Sequence, residues 1–149
     1  MKTSIFLITV LIVLLPLSSL AQNKADGKLL LKDNWAIQSS KEIKAEAKTI
    51  SMTGFKAEGW YPTSVPTTVL AALVANKVYP DPYYGTNFND LPGIITYPKR
   101  AMPDDSPFKV AWWYRTEFKI PADFKNMHTW LQFHSINYKA NVWLNGKLI

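Results

Sequence analysis

The sequence predicts an all-β domain with one short helix. Three observations point there. Residues 109–120 alternate side chains regularly between two faces, the period of a half-buried antiparallel strand. Asn145-Gly146 sits among apolar residues, the strongest short signal for a hairpin with a type I′ turn. Only one segment, Val69, Leu70, Leu73 and Val74 with alanines between, carries a helical stripe.

The chain has 149 residues, which predicts one domain or part of one. Hydrophobic residues at 48% and charged residues at 19% exclude dominant disorder. Cysteine is absent. That excludes disulfides, thiolate metal sites, cysteine nucleophiles and a lipid anchor on cysteine.

Residues 1–21 read as a signal peptide. Lys2 is the charged start, residues 5–15 are apolar except for Thr9, and Pro16 breaks the run. Ser19-Leu20-Ala21 offers small residues for a cut between Ala21 and Gln22. The apolar run is too short to span a bilayer, which takes roughly 20 residues. Export to a periplasmic or extracellular space is expected, with no membrane attachment after cleavage. Removing Lys2 leaves 16 basic and 11 acidic residues, a charge of +5. Lys41, Lys44 and Lys48 alternate with Glu42 and Glu46 as on a solvated face. A basic stripe with stacking aromatics is missing, so nucleic acid is not an expected partner.

Residues 22–33 form a polar lead-in of weak order, and residues 34–149 the domain. A first strand is expected over 34–39, where Trp35 and Ile37 alternate with Ala36 and Gln38. Residues 41–48 fit an exposed strand or a helical turn, and 50–55 another strand ending near Gly54. The helix follows, with Thr67 as its expected N-cap after Pro66. Asn76 is expected to end it in the left-handed conformation. Eight of the ten prolines fall between Pro62 and Pro107. Proline at that density excludes a sheet interior, so 79–108 reads as a long irregular segment. Long loops of this kind are often functional.

In the strand over 109–120, Val110, Trp112, Tyr114, Thr116, Phe118 and Ile120 share one face. Two more strands are expected, over 129–136 and 138–144. The return strand after Asn145-Gly146 has only Lys147, Leu148 and Ile149, where about five residues are usual. The five or six strands expected fall short of the eight of a jelly roll. The chain therefore reads as the N-terminal part of a longer protein.

No autonomous active site emerges. Asp104-Asp105 is the only adjacent carboxylate pair, and neighbours in an extended segment point apart. Flanked by Pro103, Ser106 and Pro107, they read as turn formers. Asp81 and Asp90 sit in the aromatic loop without an evident partner. His134 fits a hydrogen-bonded histidine in a half-buried sheet. No His-Glu-x-x-His motif, acidic metal loop or Gly-x-Ser-x-Gly elbow occurs. No cofactor or metal is expected. Aromatic residues crowd the irregular segment, and their rings match the apolar C–H faces of sugars. Trp112 and Tyr114 read as core. Asp81, Tyr83, Tyr84 and Asn87 lie in a Pro/Gly-rich loop and are the candidate substrate-binding residues.

Six motifs then occur in order. They are Trp60-Tyr61; Val65-Pro66-Thr67-Thr68-Val69-Leu70; Tyr79-Pro80-Asp81-Pro82-Tyr83-Tyr84-Gly85; Met102-Pro103-Asp104-Asp105-Ser106-Pro107; Trp112-Trp113-Tyr114-Arg115-Thr116-Glu117-Phe118; and the run from Ile136 through Asn145-Gly146. Together they resemble the N-terminal sugar-binding domain of glycoside hydrolase family 2, over about residues 30–149. The branch most resembled is the exo-β-D-glucosaminidases, with β-mannosidases next. Lys77, where a glycine would be expected after Asn76, and Ser135 depart from the family pattern.

The resemblance implies a jelly-roll, galactose-binding-like β-sandwich, incomplete at its C-terminus. It implies a parent chain with immunoglobulin-like domains and a (β/α)₈ barrel, which are the partners of this domain. The barrel would hold the acid/base and nucleophile carboxylates of a retaining exo-glycosidase. This chain alone would then hold no catalytic residue and be inactive. The 81–87 loop is the candidate to reach the barrel mouth and contact a terminal β-linked sugar. A stand-alone carbohydrate-binding module and a purely structural sandwich are the competing readings. The positive charge would oppose long-range attraction of a polyamine substrate, which keeps a neutral β-mannosyl substrate in view.

Overall fold

The computed structural model describes residues 24, 25, 27–92 and 102–149. The signal-peptide reading of residues 1–21 lies outside them. The lead-in holds a small hairpin, β1 (Lys24–Ala25) and β2 (Lys28–Leu29), with Gly27 at φ +68° between them. Asp26-Gly27 is the sequence signal for such a turn.

The organising element is a three-stranded antiparallel sheet. Its centre is β3 (Trp35–Ser39), flanked by β4 (Tyr61–Thr63) and, on the other edge, β5 (Trp112–Thr116). Ile37 faces Tyr61 and Tyr114, and Ser39 faces Trp112. Opposed residues share a face, so Ile37, Tyr61, Trp112 and Tyr114 lie together. Ile37 is fully buried. The expected strands over 34–39 and 109–120 are thus both present, the second much shortened. Its partner β3 is five residues long and pairs only with residues 112–116, so nothing holds the flanks extended. β4 was not expected as a strand. Pro62 is tolerated there because β4 is an edge.

The helix is present as α2 (Val69–Ala75), with Ala72 and Leu73 buried. Thr68, not Thr67, is its N-cap, accepting the Ala71 N–H on its hydroxyl at 3.1 Å. The Thr67 carbonyl instead accepts the Tyr114 hydroxyl at 3.3 Å, which ties the helix start to β5. Asn76 does not take the left-handed conformation. It has φ −86°, and Lys77 takes φ +60°. The Lys77 N–H reaches the Val74 carbonyl and the Val78 N–H the Leu73 carbonyl, both at 2.9 Å, a Schellman ending. Asn76 is occupied otherwise. Its amide donates to the carbonyls of Pro62 at 2.9 Å and Ala72 at 2.8 Å, joining the helix end to β4.

The expected strand over 50–55 is absent. Residues of good helical propensity precede it, and α1 (Ala47–Ile50) forms one turn that buries Ile50. The carbonyls of Ile50 and Met52, which a strand would offer a neighbour, accept the Arg115 guanidinium at 2.9 and 3.0 Å.

Asn145-Gly146 does turn a hairpin, β6 (Trp143–Leu144) with β7 (Lys147–Leu148). Both turn residues have positive φ, +47° and +81°, as type I′ requires. The strands expected over 129–136 and 138–144 are otherwise absent, and residues 125–141 are exposed. Alternation assigns faces to a strand but supplies no neighbour, and no described strand pairs with this stretch. His134, expected half-buried, is exposed for the same reason. Among the described residues, no helix is long and apolar enough to cross a membrane.

Candidate functional site: an aromatic loop beside a polar hollow

The loop after α2 is anchored at both ends. Tyr79 packs against Phe108, ring centroids 6.1 Å apart, and Leu91 is buried. Asp81 organises the middle. Its carboxylate accepts the Tyr83 N–H at 2.9 Å, an Asx turn, and its carbonyl accepts the Tyr84 N–H at 3.2 Å. The Asn87 side chain donates to that same carbonyl at 3.0 Å, and its N–H to the Tyr84 carbonyl at 3.2 Å. Gly85 supplies the positive φ, +54°, that lets the chain double back into the 3₁₀ turn Asn87–Asp90.

The four predicted residues are therefore together but do different work. Asp81 and Asn87 staple the turn. Tyr83 and Tyr84, 96% and 77% exposed, stand on its outside, with Phe88 half exposed beyond them. Two phenol rings held out on a braced turn offer stacking faces and hydroxyls.

Beside the loop lies a hollow of about 420 Å³ whose walls include Tyr61, Tyr79, Trp112, Glu42 and Asp105. Burial, with Tyr61 beside it, pushes the Tyr79 phenol up and keeps it neutral. Sequence spacing could not find this hollow, because its walls come from segments far apart in the chain. Asp105 is also a turn former, as expected: the Ser106 N–H closes the turn on the Pro103 carbonyl at 3.2 Å. Asp104 pairs with Lys109. Among the described residues, no group of three His, Asp or Glu could hold a metal ion.

Residues 35–149 match the family described as "Glycosyl hydrolase 2 galactose-binding domain-like". The chain belongs to that family. Its relatives include the exo-beta-D-glucosaminidases of Amycolatopsis orientalis, 36% identical over 127 residues, and of Streptomyces avermitilis, 37% over 123. These alignments cover 85% and 83% of this chain but 11% and 12% of the relatives. A mannosylglycoprotein endo-beta-mannosidase of Lilium longiflorum is 32% identical over 124 residues, covering 80% of this chain and 12% of its own. The crystal structure of Amycolatopsis orientalis exo-chitosanase CsxA superposes with a TM-score of 0.48 at 35% identity, over 59% of this chain and 9% of that one. This chain thus spans about a tenth of the length of these relatives. The glycoside hydrolase family 2 resemblance of the sequence motifs is borne out.

Proposed function

We propose that this chain is the N-terminal sugar-binding domain of an exported, retaining exo-β-glycosidase of the exo-β-D-glucosaminidase type. The similarity to two exo-beta-D-glucosaminidases across more than four fifths of the chain carries this reading. In it, further strands complete a jelly roll, and a barrel elsewhere in the protein supplies both catalytic carboxylates. The 81–87 loop closes one side of the pocket for the terminal sugar. Tyr83 and Tyr84 make the contact, and Asp81 and Asn87 hold them in place.

The test is kinetic. Tyr84→Ala in the whole enzyme should raise KM for a glucosaminide, by about five- to thirty-fold for one lost stacking contact of about 1–2 kcal/mol. The thermal midpoint should not move, because Tyr84 buries little. Unchanged kinetics would leave the loop a scaffold and refute its role. The lily relative supports a second reading, a β-mannoside substrate. Rates on paired β-glucosaminide and β-mannoside substrates separate the two.

A further inference from the structure

The Asn145-Gly146 turn carries a reaction of its own. Asn145 is exposed, and its side-chain amide has no hydrogen bond with another described residue. Attack on its Cγ by the Gly146 nitrogen closes a five-membered ring through Cα and Cβ of Asn145. Most residues crowd their own backbone nitrogen with a Cβ, and glycine has none. Asn126, Asn137 and Asn141 are exposed too, but Met127, Tyr138 and Val142 follow them.

The fold works against this step. A peptide nitrogen is planar and shares its lone pair with the carbonyl. Attack therefore needs the N–H proton removed and the peptide turned toward Cγ. Here the Gly146 N–H is held by the Ser51 hydroxyl at 3.0 Å, and that hydroxyl is fixed by donating to the Lys48 carbonyl at 3.0 Å. The pairs Leu144–Lys147 and Trp143–Leu148 close the turn, and the Ile149 N–H donates to the Val142 carbonyl at 2.9 Å. The bond that docks the hairpin on the turn after α1 is thus the bond that withholds the nucleophile. β6 and β7 are only two residues each, so local opening of the hairpin is the route to the reactive arrangement.

We infer that Asn145 is a site of spontaneous deamidation whose pace is set by Ser51. The Gly146 nitrogen gives up its proton and bonds to Cγ of Asn145. The Cγ–Nδ2 bond breaks, and the side-chain nitrogen takes up a proton and leaves as ammonia. Water, the only co-reactant, then opens the resulting imide at either carbonyl. One opening leaves aspartate. The other leaves isoaspartate, whose main chain runs through Cβ and Cγ and is one carbon longer. Nothing is oxidised or reduced. A two-residue type I′ turn has no room for the extra carbon, so isoaspartate at this position releases the hairpin from Ser51.

Timed incubation of the whole protein at neutral pH tests this, read by peptide mass spectrometry with an isoaspartate assay. Asn145 should convert ahead of Asn126, Asn137 and Asn141, with isoaspartate among the products. Ser51→Ala should speed the conversion about two- to tenfold, the effect of one lost hydrogen bond. Amide exchange at Gly146 should quicken by the same factor, because both processes need the same opening. An Asn145 that stays intact overturns the inference, as does equal conversion at all four asparagines. Conversion at an unchanged rate in Ser51→Ala also overturns it, whether or not Gly146 exchanges faster.

Discussion

Arg115 shows how one side chain can join distant segments. Its guanidinium donates to the carbonyls of Ile50 and Met52, pairs with Glu117, and lies 5.4 Å from the centre of the Phe55 ring. Glu117 in turn accepts the Gly54 N–H at 2.9 Å. The hydrogen bond from Arg115, helped by that of Gly54, holds the Glu117 carboxyl below its ordinary value of 4.5. A lowered folded value means the carboxylate stabilises the fold fully above the unfolded value. That contribution is lost as pH falls through the folded one. Glu117 is exposed, so solvent screening keeps the effect small. Glu117→Gln should therefore lower the thermal midpoint slightly at neutral pH, and the difference should vanish in acid well below pH 4.5. A difference that grows on acidification would contradict this assignment. Lys77 is the opposite case, a residue standing where glycine was expected that takes the left-handed conformation itself.

At the scale of elements, the hairpin is the best-marked feature, and it is not free-standing. The Gly146 N–H donates to the Ser51 hydroxyl at 3.0 Å, and a Cβ at Gly146 would lie 2.8 Å from the Met52 sulfur. Glycine is thus required twice, for its φ of +81° and for the approach to the turn after α1. Gly146→Ala should cost about 1–2 kcal/mol, chiefly from the left-handed backbone. Faster amide exchange at β6 and β7 and at Ser51 would register it, and exchange unchanged at all three would refute it. The helix was legible because its apolar stripe lies within a dozen residues, although its N-cap and its left-handed end each fall one residue later than expected. The strand over 129–136 was misread because alternation alone cannot say whether a neighbour exists. β4 was missed because Pro62 argues against a strand everywhere except at an edge.

For the whole molecule, the two faces of the β4-β3-β5 sheet are covered by different means. The face bearing Ile37 and Tyr114 receives α2, through the Tyr114 hydroxyl on Thr67. The face bearing Arg115 receives the segment around Ile50 and Met52, and through it the hairpin. β5 is therefore half-buried at every position, not at alternate ones. The chain carries a net charge of +6, while two carboxylates and one lysine line the hollow. In the proposed enzyme, the exported protein should begin at Gln22 and have a mass several times that of residues 22–149. N-terminal sequencing and intact mass on an export fraction check both. An N-terminus at Met1 would remove the signal-peptide reading.

By itself the sequence determined the all-β class, the family, the helix, the Asn145-Gly146 hairpin and the loop holding Tyr83 and Tyr84. Each of these rests on neighbours within a short stretch, where backbone preference and side-chain period act locally. The tertiary structure alone decided that Arg115 takes the carbonyls of Ile50 and Met52 and that the sheet is covered on both faces. It alone decided that Asp81 and Asn87 brace the turn while the tyrosines face outward. It also brought Glu42, Tyr61, Asp105 and Trp112 around one hollow. Those outcomes depend on which segments meet across the sheet, and strand pairing between distant residues leaves no mark on the local pattern of either one.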